Sequence, residues 1–327
     1  LCVKMLTPKR NERIIDPACG SGGFLVETLF FVGGNHEVAI YGIDKELDMV
    51  KISKAYMALT GGDYKRIFCA DSLAPHTWNE TLRKEVRDNS FDIVLTNPPF
   101  GARIPIRDKS VLQHYQLARV WKRTKSGAWV MTNQITPRPP QVLFLERCMQ
   151  LLRPGGRMAI VLPDGLLGNP SDRYIWQVIF SQARVTAVIS LPPETFLPST
   201  HTKTSVVVIE KTPDNPEEDY PIFMAIVERV GHDKNGKPLF KMDEKGNFIL
   251  DQFGNKVLDD ELPIVEEKFA EFKAGRLIET EYDRLGFVVR RSQIRDHVFV
   301  PHYYNPETAR KLKQLEKSGK YLSLIHI

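Results

Sequence analysis

The stretch Asp16–Leu25, with the sequence DPACGSGGFL, comes directly after the apolar pair Ile14–Ile15 and opens a segment with helical spacing. A glycine-rich turn between a strand and a helix is a frequent ligand site in doubly wound α/β folds. Gly20, Gly22 and Gly23 allow a tight turn and close approach of a ligand to the backbone. Leu25 stands where the pattern GxGxxG has its third glycine, which argues against a pyrophosphate-bearing dinucleotide.

Strand and helix patterns alternate around this turn. The predicted strands are RIIDPA, EVAIYGID, RIFCAD, FDIVLTN, MAIVLP, ARVTAVISLP and KTSVVVIEK, and the predicted helices are GGFLVETLFFV, ELDMVKISKAYMAL and VLFLERCMQLL. Such alternation predicts an α/β fold with a doubly wound, mostly parallel sheet and helices on both faces. Farther on, GHDKNGKP and DEKGNFILDQFGNK indicate hairpin turns, and PIVEEKFAEFKAG and ETARKLKQLEKSGK indicate helices, so the sheet is followed by an α+β extension.

These patterns divide the 327 residues into three segments. Residues 1–212 form the main domain, residues 213–262 a linker with a hairpin insertion, and residues 263–327 a C-terminal extension. A content of 42% hydrophobic and 26% charged residues is typical of a soluble globular protein. No apolar run is long enough to span a membrane, no signal peptide opens the chain, and the four cysteines are scattered, so we expect a cytoplasmic protein without disulfides or a metal site.

Three acidic residues follow three successive strands of the predicted sheet. They are Asp16, Asp44 and Asp71, and in this fold they fall on the ligand-binding edge. Asp16 would repel a phosphate and suits a cationic ligand, such as the sulfonium and ammonium groups of S-adenosylmethionine. Asp44 is placed to bind ribose hydroxyls, and Asp71 to accept a hydrogen bond from an adenine amine. Each acid alone is explained as a helix cap, but the ordered set together with the glycine turn favours a cofactor site.

The tetrapeptide NPPF at Asn97–Phe100, hereafter the NPPF loop, comes at the end of the apolar run FDIVL. An amine on an aromatic ring is a poor nucleophile because its lone pair is delocalised into the ring. The Asn97 side-chain oxygen and the Pro98 carbonyl can grip both N–H bonds and turn the lone pair towards a methyl group. Pro99 stiffens the loop, and Phe100 offers a face on which a flat base stacks. The alternative is a rigid turn without a chemical role.

With these motifs together, the chain resembles the S-adenosylmethionine-dependent N6-adenine DNA methyltransferases, and within them the modification subunit of type I restriction-modification systems. The resemblance lies in DPACGSGGFL, YGIDKEL, ADSL, FDIVLTNPPFG, LFLERCMQLLRPGGRMAIVLPDGLL and LPPETFLPSTHTKTSVVVIEK, which cover nearly all of residues 14–212. It implies a Rossmann-like methyltransferase sheet and adenine-specific DNA methylation. The implied cofactor contacts are Asp16, Ala18, Gly20, Gly22, Gly23, Asp44 and Asp71, and the implied catalytic residues are Asn97, Pro98, Pro99 and Phe100.

The resemblance also implies partners: duplex DNA, a specificity subunit and a restriction subunit. Two features depart from the family pattern. Family members have a helical region and a further cofactor-contacting motif where this chain has only LCVKMLTPKR, and the chain ends in the apolar run YLSLIHI, so we expect a fragment with a foreign tail. The stretch RLGFVVRRSQIRDHVFVPHYYNPE resembles the start of a sequence-specificity region, which would make the protein a fusion of modification and recognition.

A basic stretch follows the NPPF loop. Its seven cationic residues, among which Asp108 is the only acid and Tyr115, Trp121 and Trp129 are interleaved, are Arg103, Arg107, Lys109, Arg119, Lys122, Arg123 and Lys125. Basic charge beside a catalytic loop would bind the phosphates that flank an extruded base. The alternative is a solvated basic loop without a ligand, and a net charge of +5 over the whole chain does not decide between the two.

Three other functions compete with DNA adenine methylation. A methyltransferase acting on protein glutamine or on RNA shares an N-P-P-aromatic loop, usually with tyrosine, but LRPGGRMAIVLPDGLL and HTKTSVVVIEK favour the DNA enzyme. A catalytically inactive DNA-binding scaffold would not need Asn97 or the three acids. A nicotinamide oxidoreductase is disfavoured by Asp16 and by the missing third glycine.

Overall fold

The computed structural model describes residues 1–35, 37–101, 104–197, 200–212 and 219–317. The strands within these residues are β1 Ile14–Asp16, β2 Ile40–Asp44, β3 Ile67–Cys69, β4 Phe91–Thr96, β5 Arg119–Arg123, β6 Trp129–Ile135, β7 Leu152–Pro163, β8 Ala183–Ser190, β9 Thr204–Lys211, β10 Pro221–Ile226 and β11 Phe287–Arg290. The helices are α1 Cys2–Leu6, α2 Gly23–Phe31, α3 Leu47–Leu59, α4 Glu80–Glu85, α5 Lys109–Leu112, α6 Pro140–Leu151, α7 Asp164–Gly168, α8 Arg173–Phe180, α9 Leu262–Lys273 and α10 Pro306–Lys317.

The chain forms two compact units. Unit 1 comprises Leu1–Ala187, Ser205–Glu218 and Asp296–Val298, and unit 2 comprises Val188–Thr204, Asp219–Arg295 and Phe299–Ile327. The three-segment division expected from the sequence, with boundaries at 212 and 262, stays a prediction. None of the described helices has the length and apolar composition that crossing a bilayer requires.

The sheet of unit 1 has the strand order β8-β9-β7-β4-β1-β2-β3, and the neighbouring pairs from β7 to β3 are all parallel. The predicted α/β fold with a mostly parallel sheet is therefore confirmed. From β1 the chain runs outwards through β2 and β3 on one side, and then returns to β4 on the other side. The gap between β1 and β4 is the point at which strand order reverses, and ligands of such sheets bind there, outside the carboxyl ends of the strands.

The central strands are apolar runs because a parallel sheet is covered on both faces. In β4, the side chains of Phe91, Ile93 and Val94 are fully buried. Behind the sheet, α6 is buried along most of its length, with Leu143, Leu145 and Cys148 inaccessible to solvent. A continuous core of this kind gives the loops at the carboxyl ends of the strands a rigid base.

The basic stretch after the NPPF loop is more ordered than its composition suggests. It contains the short helix α5 and the antiparallel pair of β5 and β6, neither of which the sequence patterns predict. Trp121 and Trp129 lie on this pair and pack around Tyr174 of α8, with ring centroids 5.6 and 6.1 Å away. The pair is therefore held by aromatic packing on one side, which a charge pattern does not reveal.

Unit 2 contains an antiparallel pair, β10 and β11, against which α9 packs through the edge-to-face contact of Phe223 and Phe269 at 5.4 Å. Between β10 and α9 lie three tight hairpins, begun by Asp233, Asp243 and Asp251. Each aspartate accepts the backbone N–H groups two and four positions farther on, which fixes the turn. The predicted hairpin turns are therefore present, and they repeat one local design.

The three hairpins are joined by two closed rings of backbone hydrogen bonds. Each ring consists of three residues. The backbone N–H of each residue donates to the carbonyl of another, so that each residue donates once and accepts once, at distances between 2.8 and 3.0 Å. The rings are formed by Gly231, Asp259 and Leu239, and by Lys241, Val257 and Ile249. This closure links residues far apart in the chain, so the sequence predicts the turns but not their assembly.

Candidate active site

A cavity of about 470 Å³ lies in unit 1 at the carboxyl ends of β1, β2, β3 and β4, at the reversal of strand order. Among its lining residues are Ala18 and Gly20 after β1, Asp44 at the end of β2, Asp71 after β3, and Asn97, Pro99 and Phe100 of the NPPF loop. The structure thus brings both predicted groups, the cofactor residues and the NPPF loop, to one cavity. Asp16, Gly22, Gly23 and Pro98 do not line it.

The glycine turn is shaped by two separate requirements. Gly20, with a φ of 51°, donates its N–H to Asp44 Oδ2 at 2.8 Å, so the turn is tied to the next strand. Gly22, with a φ of 89°, is the N-cap of α2, and a Cβ there would lie 2.5 Å from Ser53 Oγ of α3. The requirement for glycine at position 22 therefore comes from the close approach of α2 and α3 as well as from the turn.

Asp16 is the last residue of β1 and is buried, with 2% of its surface exposed. Its Oδ1 accepts the N–H of Ala18 at 2.9 Å. Burial raises the pKa of this carboxyl to about 7, and the negative charge of Asp44 adds to the rise, while the hydrogen bond from Ala18 opposes it. The site therefore holds an acid close to its midpoint at neutral pH, and a nearby cation would favour its ionised form.

Asp44 and Asp71 both shape their own turns. Asp44 accepts the N–H of Glu46 at 2.9 Å in addition to that of Gly20, and Asp71 accepts the N–H of Leu73 at 2.8 Å. A carboxylate offers about four lone pairs, so both residues keep acceptor capacity for a ligand in the cavity that they line. The helix-cap alternative considered from the sequence and the ligand role are thus compatible for these two residues.

Three side-chain hydrogen bonds hold the backbone around Asp71 in place. Trp78 Nε1 donates to the Asp71 carbonyl at 2.7 Å, Ser72 Oγ donates to the Pro17 carbonyl at 2.6 Å, and the Tyr115 hydroxyl donates to the Leu73 carbonyl at 2.9 Å. Tyr115 is 1% exposed, so it supports this backbone instead of offering a surface to nucleic acid.

The NPPF loop presents an acceptor without a donor. Asn97 lines the cavity, its Oδ1 is buried, and no described residue donates a hydrogen bond to it. Phe100 lines the same cavity. Directly after the loop, the Gly101 N–H donates to Gln141 Oε1 of α6 at 3.1 Å. Buried polar atoms in folded proteins are nearly always paired, so the unpaired oxygen of this cavity-lining residue calls for an explanation.

Apolar residues that the sequence analysis did not assign complete the cavity. They are Pro140 and Phe144 of α6, Ile104 and Ile106 after the NPPF loop, and Leu73 and Met49 beside the acids. The signal for Phe144 was present in the helical pattern of VLFLERCMQLL, which begins two residues after Pro140, but a pattern does not reveal which helix face meets the cavity. Among the described residues, no group of three or more His, Cys, Asp or Glu could hold a metal ion.

The predicted DNA-binding residues differ in their surroundings. Arg107, Lys109, Lys122, Arg123 and Lys125 are exposed, and Arg103 lies outside the described residues. Arg119 is half-buried and donates to the Asn133 carbonyl at 3.1 Å across the β5–β6 pair. Arg123 forms an ion pair with Asp296 at 3.2 Å. Trp121 and Trp129 pack around Tyr174, so their role is structural.

Taken together, the cavity offers two chemically distinct ends. Asp44 and Asp71 line one part of the cavity and offer carboxylate acceptors that suit a ligand with hydroxyl groups and an amine, while Asp16 lies outside the lining. The NPPF loop offers a bare oxygen and an aromatic ring, which suit a flat ring that carries an N–H donor. Because both ends belong to one cavity, two such molecules would meet there.

Comparison with known proteins gives a consistent result. Residues 1–309 match the family model described as N-6 DNA methylase. The chain is 27% identical over 220 residues to the type I restriction enzyme EcoEI methylase subunit of Escherichia coli, covering 64% of this chain and 40% of that protein. It is 28% identical over 252 residues to the MpnII methylase subunit of Mycoplasma pneumoniae, covering 75% of this chain and 43% of that protein.

Solved structures share the fold. A chain from a type I R-M system, studied for complex assembly and conformational transition, matches with a TM-score of 0.62 and 22% identity, over 97% of this chain and 62% of that one. A type I restriction-modification methyltransferase subunit from Streptococcus thermophilus matches with a TM-score of 0.60 and 18% identity, over 90% of this chain and 56% of that one. The present chain therefore spans less than two thirds of the length of these proteins.

Proposed function

The chain belongs to the N-6 DNA methylase family, and on this basis we propose that it transfers a methyl group to the N6 amine of adenine in duplex DNA. S-adenosylmethionine is the proposed donor, and when bound it supplies a methyl group activated by the positive charge on sulfur. In this proposal the protein is the modification component of a type I restriction-modification system and acts on DNA in the cytoplasm.

One observation carries the proposal. Asn97 lines the cavity together with Asp44 and Asp71, and its Oδ1 is a buried atom that accepts no hydrogen bond from the described residues. Leaving a buried acceptor unpaired costs about 1–3 kcal/mol, so the fold sustains this cost unless a ligand N–H pairs with the oxygen. An adenine amine is such a donor.

The chain's own residues then act on the amine through hydrogen bonds. Asn97 Oδ1 and the Pro98 carbonyl, which would have to turn towards the cavity because Pro98 does not line it, would accept its two N–H groups, and this would take the nitrogen lone pair out of conjugation with the ring. Pro98 and Pro99 restrict the backbone, so the two acceptors need not reorganise during the reaction. Phe100 would stack on the extruded base. The new carbon–nitrogen bond would replace the bond between the methyl group and the donor's sulfur, which would leave as a neutral thioether, and the alkylated amine would release one proton to water.

The acids fit the polar groups of the proposed donor. Asp16, whose pKa burial raises to about 7, favours a ligand with positive charge, because such a charge stabilises the carboxylate. Asp44 and Asp71 have acceptor capacity beyond the backbone N–H groups that they already bind, and they would accept from ribose hydroxyls and from the donor's own adenine amine. Ala18 and Gly20 would form the floor beneath it.

DNA and protein partners belong to the same proposal. The exposed cations Arg107, Lys109, Lys122 and Lys125 follow the NPPF loop and would contact phosphates next to the extruded base. Recognition of a sequence would come from a specificity subunit, and cleavage of unmodified DNA from a restriction subunit. The relatives support this arrangement, since they are named as methylase subunits of type I restriction enzymes.

The test is transfer of an isotopically labelled methyl group by the full-length protein together with its specificity subunit. After transfer to DNA, the DNA is hydrolysed and the labelled nucleoside is identified by mass spectrometry. We expect N6-methyladenine. Label on another base, on RNA or on protein would overturn the proposal and favour one of the related methyltransferases, and the absence of any transfer would favour an inactive DNA-binding scaffold.

A further inference from the structure

We propose that Gln141 is a positioning residue for the NPPF loop. Its side-chain oxygen fixes the backbone directly after Phe100 and thereby sets how the loop faces the cavity. The kinetic consequence rests on the proposed function, whereas the anchoring itself is a property of the fold and is measured separately.

The NPPF loop has few backbone donors of its own. Pro98 and Pro99 carry no N–H, so neither can be held by a hydrogen bond from its own amide. Of the next two residues, Phe100 and Gly101, only Gly101 donates to a partner within the described residues, and that partner is Gln141 Oε1 at 3.1 Å. Within the part of the chain that the structure describes, the backbone N–H at the end of the loop is therefore held by a side-chain acceptor, while the Gly101 carbonyl accepts the N–H of Ile104 at 3.2 Å.

The anchor is placed on a buried helix. Gln141 lies in the first turn of α6 and is 7% exposed, and ten of the twelve residues of α6 are buried. Its neighbour Pro140 faces Gly101 closely, since a Cβ on Gly101 would lie 3.6 Å from Pro140 Cδ. Side chains on a packed helix hold a site more accurately than side chains on a loop.

The same helix holds the chain at a second point downstream. Glu146, also 7% exposed, accepts the N–H groups of Gln116 and Leu117, both at 2.8 Å. The segment between Gly101 and Leu117 is thus fixed to α6 at both ends, by Gln141 next to the NPPF loop and by Glu146 before β5. The position of the loop therefore depends on the position of α6.

Loss of the Gln141 oxygen should release the loop without removing a wall of the cavity, because Gln141 does not line it. A displacement of about 1 Å in a catalytic group can slow a reaction about a hundred-fold. We therefore expect Gln141→Met to lower the rate of methyl transfer about ten- to a hundred-fold at saturating substrates. The affinity for S-adenosylmethionine should stay within about two-fold, since the acids that would bind it are untouched.

The experiment uses three variants of the full-length protein. Gln141→Met keeps the length of the side chain and removes the oxygen, and Gln141→Glu keeps an oxygen at the same place. Gln177→Met is the matched control, because Gln177 of α8 also accepts a backbone N–H, that of Trp129 at 2.9 Å, away from the cavity. Amide hydrogen exchange of the peptide 97–106, the single-turnover rate of methyl transfer and cofactor affinity are measured for each.

We expect faster exchange of the peptide 97–106 and slower transfer in Gln141→Met, with both restored towards the parental values in Gln141→Glu and unchanged in Gln177→Met. Unchanged exchange in Gln141→Met, an equal loss in Gln177→Met, or a Gln141→Glu as impaired as Gln141→Met would each overturn the proposal. If Gln141→Met does not fold, Gln141→Asn, whose oxygen stops one methylene short, replaces it with the same expectation. If even the parental protein transfers no methyl group, the proposed function fails while the exchange measurement still decides the anchoring.

Discussion

Replacement of Asp16 by asparagine is expected to stabilise the cofactor-free protein above neutral pH while it weakens cofactor binding. Burial raises the pKa of Asp16 from 3.8 to about 7. Between these pH values the folded protein keeps a proton that the unfolded chain has released. The free energy of unfolding therefore falls as pH rises through this window, by about 1.4 kcal/mol per pH unit. Above the folded-state pKa, the free energy of unfolding falls no further on account of Asp16.

The size of the effect follows from the pKa shift. A shift of roughly three units corresponds to about 4 kcal/mol over the whole window, of which about 3 kcal/mol falls between about pH 5 and about pH 8. The asparagine side chain of the Asp16→Asn variant has no charge to bury and keeps an oxygen for the Ala18 N–H, which is bonded at 2.9 Å in the parent. The difference in unfolding free energy, variant minus parent, should therefore grow by about 3 kcal/mol from about pH 5 to about pH 8.

Urea unfolding of both proteins without cofactor, at several pH values, measures this difference, and constant effects of the asparagine side chain cancel between pH values. Asp48→Asn is the matched control, because the Asp48 side chain is 85% exposed and its removal should change stability by less than about 0.5 kcal/mol. Calorimetry should show weaker S-adenosylmethionine binding by the Asp16→Asn variant. A stability difference that is independent of pH, or that shrinks as pH rises, would refute the reasoning.

Three further predictions address other parts of the site. Asn97→Ala should lower methyl transfer at least about a hundred-fold and leave cofactor affinity, measured by calorimetry, within about two-fold; transfer at the parental rate would contradict its role. Lys122→Gln combined with Arg123→Gln should weaken DNA binding more at low salt than at high salt. The slope of log binding constant against log salt concentration should change by between about one and two, because Arg123 already pairs with Asp296 within the protein. A loss of affinity that is independent of salt would exclude phosphate contacts. Gly22→Ala should lower the free energy of unfolding by about 2–4 kcal/mol in urea titrations, since its Cβ would meet Ser53; a loss below about 1 kcal/mol would show that α3 can yield there.

The central strands and the helices between them could be predicted from the sequence because their signals are local. The run FDIVL became β4, and the alternation of strands and helices gave a mostly parallel sheet, as the strand pairing confirms. The carboxyl-end placement of Asp44, Asp71 and the NPPF loop followed from that topology alone. These inferences needed no knowledge of side-chain packing.

Other elements depend on contacts between distant residues, and the sequence patterns did not predict them. The strands β5 and β6 carry Arg119, Lys122 and Arg123, so the stretch suggested a solvated loop, but Trp121 and Trp129 pack against Tyr174 and order it. The hairpin rings of unit 2 similarly close through backbone bonds between residues far apart in the chain. Neither the aromatic partner nor the ring closure has a signature within a short window.

The structure also separates two kinds of aspartate that look alike in the sequence. Asp108, Asp243 and Asp71 each accept the N–H of the residue two positions on, so this contact alone is ordinary turn chemistry and says nothing about a ligand. Asp16 accepts the Ala18 N–H in the same way, but it is buried, and its pKa is raised to about 7, whereas the pKa of the exposed Asp243 is lowered by its turn. Burial is what makes Asp16 costly to the fold.

The unpaired Asn97 oxygen is costly for the same reason, since burial removes the water that would otherwise pair with it. The buried carboxyl of Asp16, which keeps the hydrogen bond from Ala18 but meets no cation among the described residues, and the unpaired oxygen of Asn97 both lower the stability of the ligand-free fold. Ligands that bring a positive charge to Asp16 and an N–H to Asn97 would remove both penalties. The cofactor interpretation of Asp16 and the amine-binding interpretation of Asn97 are therefore supported by what the fold leaves unsatisfied, whereas Asp71 is supported only by its position in the cavity.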